Sequence, residues 1–169
     1  MELFDAILMR RSIRKFTSQK IEPDLVDKII KAGMYAPSAV NKQPWHFIVF
    51  FDRKTMTEIM NVHQSSTMLA EAQTAILVCY DVNLQHDEGY GPVDCSNATQ
   101  NMLLAAHALG LGACWVGIYP RIKRMEALHS IFELPLNVKA FSVIALGYPA
   151  EKKPMAERYK PERIHFEKW

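Results

Sequence analysis

Apolar positions along this chain recur with two periods, and the alternation of those periods marks out its elements. Leu3, Phe4, Ile7 and Leu8 share one face of a short helix predicted over 3–11. Pro23 suits a first helical position, and Leu25, Val26, Ile29, Ile30 and Met34 continue at helical spacing. That helix must close before Pro37, because the residue preceding a proline disfavours the helical region. "HFIVFF" (46–51) reads as a buried strand, followed by a helix over about 53–62. "TAILVCY" (74–80) is a second buried strand, rich in apolar and β-branched residues.

The helix expected from Pro92 to about Leu109 differs from the others. Its second half, "MLLAAHALG", is apolar all round apart from His107, so it should be buried on every side, between a sheet and a partner surface. Gly110 and Gly112 then stop it. "ACWVGIY" (113–119) and "AFSVIALGY" (140–148) are two more buried strands. Between them lies a helix near 121–132 carrying Ile122, Met125, Leu128 and Ile131. The segment 149–169 changes character, with Pro149, Pro154, Pro161 and many charges. It cannot build a core of its own, yet Tyr159, Ile164, Phe166 and Trp169 require burial, and a partner subunit is a natural host.

Strands alternating with helices predict a layered α+β (α/β) domain, with 1–148 as core and 149–169 as a wrapping tail. A doubly wound nucleotide-binding sheet is the obvious candidate, and the glycines argue against it. The close pair Gly110 and Gly112 follows a helix and precedes a strand, the reverse of the dinucleotide fingerprint. Gly112 and Gly117 have P-loop spacing, but Ile118 and Tyr119 stand where Lys and Ser/Thr are required.

Composition narrows the function classes. The 169 residues suit one domain with a sizeable core. A net charge of +2, from 20 basic against 18 acidic residues, is too balanced for a nucleic-acid-coating protein. No apolar run approaches the ~20 residues needed to span a bilayer. The N-terminus "MELFDAILMRR" does not read as a signal peptide, so a cytoplasmic protein is expected. Cys79, Cys95 and Cys114 lack C-x-x-C spacing and read as buried free thiols. The histidines show no metal spacing: His63 and His86 read as isolated in polar loops, and His107 as a satisfied core histidine. Glu71 and Asp94 have no evident partner, so no side chain is assigned as catalytic acid or base.

Two stretches carry candidate chemistry. "RRSIRKF" (10–16) gathers Arg10, Arg11, Arg14 and Lys15 around Ser12. Such a run is commonly a solvated face. Guanidinium forks beside a hydroxyl also match phosphate oxygens, and the cluster alone does not choose between the two readings. "APSAVNKQPWHF" (36–47) is composed like an ordinary turn, but it also offers amide and hydroxyl groups beside Trp45, which suits a planar hydrogen-bonding heterocycle.

Together with "GLGACWVG" (110–117) and "ALGYPAE" (145–151), these stretches resemble the nitroreductase family, in the same order and over nearly the whole chain. The resemblance implies a mixed, largely antiparallel sheet flanked by helices, in a homodimer whose C-terminal tail extends onto the partner subunit. It implies FMN bound at the subunit interface. Arg10 and Arg11 would meet its phosphate, Ser12 its phosphate or ribityl oxygens, and Arg14 the flavin's polar edge. Pro37, Ser38, Ala39 and Asn41 would line the same FMN from the other subunit. Trp115, Val116 and Gly117 would pass the isoalloxazine ring, and Arg158 would be a second phosphate contact.

The implied activity is transfer of hydride from NADH or NADPH to FMN, then of two electrons to a nitroaromatic, quinone or similar acceptor, by a ping-pong mechanism. A non-catalytic FMN-binding protein, or a specialised reductive dehalogenase or flavin-cleaving member, are the alternatives. Nucleic-acid and membrane partners are not expected.

Overall fold

The computed structural model describes all 169 residues. Its helices are α1 (Leu3–Met9), α2 (Pro23–Met34), α3 (Arg53–Val62), α4 (Tyr90–Ala108) and α5 (Ile122–Ile131). Its strands are β1 (Trp45–Phe50), β2 (Thr74–Asp81), β3 (Gly112–Gly117) and β4 (Val138–Gly147). Local chemistry sets several of these boundaries. Pro23 opens α2 at its first position, and the Asp52 carboxylate caps α3 by accepting the Thr55 N–H at 2.8 Å. α4 closes in a Schellman arrangement: Gly110, at φ 80°, donates to His107 O, and Leu111 donates to Ala106 O.

The strands form one sheet in the order β1-β2-β4-β3, and every neighbouring pair is antiparallel. Side chains alternate between its faces. Ile76, Val78, Ile144 and Leu146 point to the layer holding α2 and α4, while Leu77, Cys79, Val143 and Ala145 point to the layer holding α3 and α5. The central strands are covered on both sides, which explains why "TAILVCY" reads as an unbroken apolar run. A register shift opposite Val78 and Cys79 adds Phe141 to β4, so Phe141 and Ser142 both face α4. There Ser142 Oγ and Thr99 Oγ1 meet at 3.2 Å, fully buried. Thr99 donates to Cys95 O, so Ser142 is the donor of that pair.

The basic segment after α1 is tied to the end of this sheet. Ser12 pairs in parallel with Ala113 on the outer side of β3, the only parallel pairing, and Phe16 pairs with Pro149 beyond β4. Ile13 N–H donates to Ala113 O, Thr17 N–H to Tyr148 O, and Ala150 N–H to Lys15 O. The Phe16 ring lies against Gly147 so closely that an added Cβ would stand 2.7 Å from Cδ1.

Two apolar faces are not covered within the chain. In α1 only Ala6 is buried, and Phe4 is 75% exposed, so the predicted apolar face finds no host in its own chain. The second half of α4, expected between the sheet and a partner surface, is likewise covered only in part by its own chain: Leu104 and Ala105 are half-buried and Ala108 is exposed. Tyr159, Phe166 and Trp169 in the tail are exposed as well. No helix is long and apolar enough to cross a membrane.

Because Phe16 seats on Gly147, the Gly147→Ala variant should force the Arg10–Phe16 segment off the sheet end. Overpacking of this kind costs on the order of 1–3 kcal/mol. Denaturant unfolding should show that loss, while Gly117→Ala, where the added Cβ meets nothing within 4 Å, should leave stability nearly unchanged.

Candidate functional site

At the C-terminal end of α4 the structure brings four of the expected arginines together. Arg10 lies among charges: burial chiefly, then the cations of Arg158 and Arg11, press its guanidinium below the usual arginine range. Arg14 and Arg10 both act on the Cys114 thiol of β3, as does the Ser12 side chain, although burial dominates there and pushes the thiol up. Arg10, Arg11, Ser12, Arg14 and Arg158 thus share one corner of the molecule. Such a concentration of like charge is unfavourable by itself and calls for an anion.

The corner is held rigidly. Glu151 Oε1 accepts Arg14 N–H at 2.6 Å and Lys15 N–H at 3.3 Å, and these bonds lower its carboxyl below the ordinary range. Glu71 Oε2 accepts Phe16 N–H at 3.0 Å. Lys153 Nζ donates to Ser12 O at 2.8 Å, and the Arg11 guanidinium donates to Pro154 O. Arg11 therefore spends part of its fork on the tail rather than facing an anion with all of it. A cavity of about 320 Å³ beside the cluster is lined by Arg11, His107 and Lys153 among others.

The second group of expected residues is elsewhere. Ala39 N–H donates to the buried Asp94 carboxylate at 3.0 Å, and Asn97 Nδ2 donates to Pro37 O at 3.3 Å. Asp94 and Asn97 belong to the N-terminal part of α4. From Asp94 to His107 is thirteen residues, roughly 20 Å at the helical rise of about 1.5 Å per residue. Pro37, Ser38, Ala39 and Asn41 are thus at the far end of α4 from the arginines of the same chain.

This loop is strained. Val40, Asn41 and Gln43 take φ values of 50°, 55° and 49°, and for β-branched Val40 that region is a true outlier. Ser38 Oγ accepts Gln43 N–H, and Asn41 Oδ1 accepts Gln43 Nε2–H, so the loop's polar atoms brace it. Strain of about 1–3 kcal/mol per residue persists only where surroundings enforce it, and such positions cluster at ligand clamps.

Between the two ends runs the outer edge of β3. Ala113 O faces outward to accept from Ile13, so by alternation the backbone groups of Trp115 and Gly117 face the same way. Gly117 O is taken by Arg124 Nη1 at 3.1 Å. The Trp115 backbone faces the open edge between these two anchors. Its ring is half-buried and meets Phe141 edge-on at 5.6 Å. Val116 points into the α3/α5 core and can offer only backbone. On the side where a Cβ would stand, Gly117 has open space, which suits the approach of a flat ring.

Several contributors escape a reading of the sequence. His63 is not isolated: it is buried, and Arg124 Nη1 donates to its Nε2 at 3.0 Å. The same Nε2 stands 3.0 Å from Gly117 O, so one tautomer accepts from the guanidinium and the other donates to the carbonyl, while Nδ1 is buried without a partner. Burial, then the Arg124 cation, lower its pKa. His107 is not satisfied either: its Nε2 is buried and unpartnered, and burial with the nearby Arg10 charge lowers its pKa. Asp94 and Glu71 do have partners, both backbone N–H groups, and the second Asp94 oxygen is left without one. Only the Lys152–Lys153 pair was a visible signal for Lys153. The three cysteines are free and buried, and burial pushes the Cys79 thiol up to about 12. No three His, Cys, Asp or Glu side chains gather as a metal site.

Sequence comparison matches residues 7–80 and 60–148 to the nitroreductase family, and the chain belongs to it. A Methanothermobacter thermautotrophicus protein named "Putative NADH dehydrogenase/NAD(P)H nitroreductase" is 47% identical, across 100% of this chain and 88% of its own length. A solved structure of the same description from Parabacteroides distasonis superposes with a TM-score of 0.94 at 37% identity, covering 98% of each chain. A Desulfovibrio desulfuricans nitroreductase solved in complex with FMN gives 0.86 at 30%, covering 100% of this chain and 98% of that one.

Removing the Asp94 carboxylate with Asp94→Ala should release the strained loop. The loss should be about 1–3 kcal/mol in denaturant unfolding, the cost of stranding a buried donor, with no change in the circular dichroism of the helices.

His63 also imposes a pH dependence. Its folded pKa lies below the unfolded value of 6.5, so the unfolded chain binds the extra proton. The contribution of neutral His63 is therefore present above 6.5 and lost as pH falls through it. The melting temperature should drop between about pH 8 and about pH 5, and His63→Gln should flatten that slope.

Proposed function

We propose that this chain is an FMN-dependent NAD(P)H oxidoreductase working by a ping-pong cycle. NAD(P)H gives up its hydride and leaves before an electron-poor acceptor, a nitroaromatic or quinone, enters the same place and takes two electrons. When bound, FMN supplies the two-electron carrier that no side chain here can supply. The observation carrying this reading is the corner where Arg10, Arg11, Arg14 and Arg158 crowd beside the open edge of β3, in a chain of the nitroreductase family.

The residues present fit the group. The arginines supply charge-assisted donors for a phosphate dianion, and its charge would relieve the repulsion that presses on Arg10. His107 Nε2, orphaned beside Arg10, is a further polar atom in want of a partner. Backbone N–H groups on the outer edge of β3 would donate to the polar rim of the ring and favour added negative charge there, without any reorganisation. Glu151, Glu71 and Lys153 hold the arginines in register and touch nothing that reacts.

The protein acts as a homodimer with two composite sites. The loop Pro37–Asn41 is roughly 20 Å from the arginines of its own chain, so a second copy related by a two-fold axis brings each loop to the other's arginines. The uncovered apolar residues of α1 and α4 supply the faces such an interface needs.

An absorption spectrum of the purified protein, followed by anaerobic NADH and then NADPH, tests the reading. A flavin band that bleaches is expected. A band that stays oxidised would leave a binding protein without turnover, and no band after adding FMN would end the flavin assignment. The double variant Arg10→Ala, Arg14→Ala should purify folded and colourless. Each charged hydrogen bond is worth about 1.5–3 kcal/mol, so FMN affinity should fall by a factor of about 10² or more. Normal occupancy in that variant would sink the phosphate site.

A further inference from the structure

Arg124 stands where physical chemistry disfavours a cation. It is the third residue of α5, and a helix N-terminus carries about half a positive charge of its own. No acidic residue shares that first turn, and none of the chain's ion pairs includes Arg124. The half-buried guanidinium meets two uncharged groups instead. Its Nη1 lies 3.1 Å from Gly117 O and 3.0 Å from His63 Nε2, and that nitrogen is itself 3.0 Å from Gly117 O. His63 does not compensate the charge: burial, then the Arg124 cation, lower its pKa from 6.5, so the ring is neutral at pH 7.

The cation is nevertheless held firmly. His63 closes α3 by donating its N–H to Ile59 O at 2.9 Å, and its own carbonyl accepts Ser66 N–H at 2.9 Å and Ser66 Oγ–H at 2.6 Å. The Arg124 N–H donates to Arg121 O at 2.9 Å. The end of α3, the end of β3 and the start of α5 therefore converge on one uncompensated positive charge.

Its place along β3 separates it from the arginine corner. Ile13 anchors the open edge at Ala113, beside that corner, and Arg124 anchors it at Gly117. Four residues lie between the two anchors, about 13 Å at a strand rise of about 3.3 Å per residue. Clamping Gly117 O also restrains the residue of that edge that has no Cβ, so its outward N–H keeps one direction.

We propose that Arg124 is a positioning residue for the redox chemistry: a fixed cation, pinned by Gly117 O and His63, that favours the reduced flavin over the oxidised one. The inference rests on the flavin reading given above and adds to it what sets the electron affinity of the site. Only a group that interacts differently with two states can shift the balance between them. The phosphate carries the same charge in both states, so the arginine corner holds the two nearly alike. Reduction by two electrons and one proton leaves the ring with one negative charge more. A cation at the far end of the edge, in place before any ligand arrives, acts chiefly on that added charge.

The midpoint potential of the bound FMN, measured by equilibration with a dye of known potential, tests this. Arg124→Gln keeps an amide donor and removes the charge. It should bind oxidised FMN within about threefold of the wild type but hold the reduced form about tenfold less tightly. That ratio lowers the potential by about 30 mV for a two-electron couple. Arg124→Lys, which restores the charge, should recover most of the difference. Arg121→Gln removes the same net charge from the exposed residue that precedes α5, and should change the ratio less than twofold. Arg124→Met, with an apolar stem and no polar head, is the second charge-free variant should Arg124→Gln not fold. The His63 ring, followed by NMR in the oxidised FMN-loaded protein, should titrate at higher pH once the cation is gone.

An unchanged potential in a yellow Arg124→Gln protein would overturn the proposal and leave the flavin site standing. An equal shift in Arg121→Gln would overturn it too, since net charge alone would then suffice. So would an unmoved His63, because the contact would not exist in solution. A wild-type protein that takes up no FMN would remove the flavin reading and this inference with it.

Discussion

The backbone on the outer side of β3 must find hydrogen-bond partners, and most of the site follows from how this chain answers that demand. An edge strand presents a row of unpaired N–H and C=O groups. Here the row is anchored at both ends and open between. Ile13 takes Ala113 at one end, and in doing so sets the arginines of the preceding segment beside the strand. Arg124 takes Gly117 at the other end, steadied by a histidine buried behind it. The stretch between, where Trp115 faces outward, is a ready surface for a planar molecule with its own donors and acceptors.

The same economy governs the apolar surface. A core built on two faces of one sheet accounts for the strands and for the inner stripes of α2 to α5. It does not account for α1, the outer side of α4 or the tail, which carry apolar side chains at a density that a lone chain of this size has no reason to expose. The two ends of α4 then do different work: one braces a strained loop through Asp94, and the other abuts a knot of positive charge.

The architecture was legible because its signals are local. Helical and strand periods, Pro23 and the glycine after α4 are each read from a handful of neighbouring residues, and the strand and helix limits fall within about two residues of the expected ones. The arginines and the Pro37–Asn41 loop were legible through resemblance, and the structure puts the two groups at opposite ends of one helix. What was hidden is of another kind. Glu151 reaches Arg14 across the whole domain, His63 meets Arg124 from a distant loop, and the positive φ of Val40 contradicts its residue type. Pairings so remote in the chain leave no periodic trace, and a valine does not announce a conformation that it disfavours. The helix with no polar face showed that something must cover it, and the structure shows that its own chain does not.

In the two-subunit site proposed above, that separation along α4 would link the cofactor to the amount of protein in solution. A ligand held wholly within one chain dissociates with a constant indifferent to dilution. One clasped by the arginines of one copy and the loop of another is released whenever the pair comes apart, so colour is lost on dilution by mass action and regained on concentration. By the same linkage, every flavin bound in such a site would draw two polypeptides together, and scarcity of the cofactor would weaken the assembly itself.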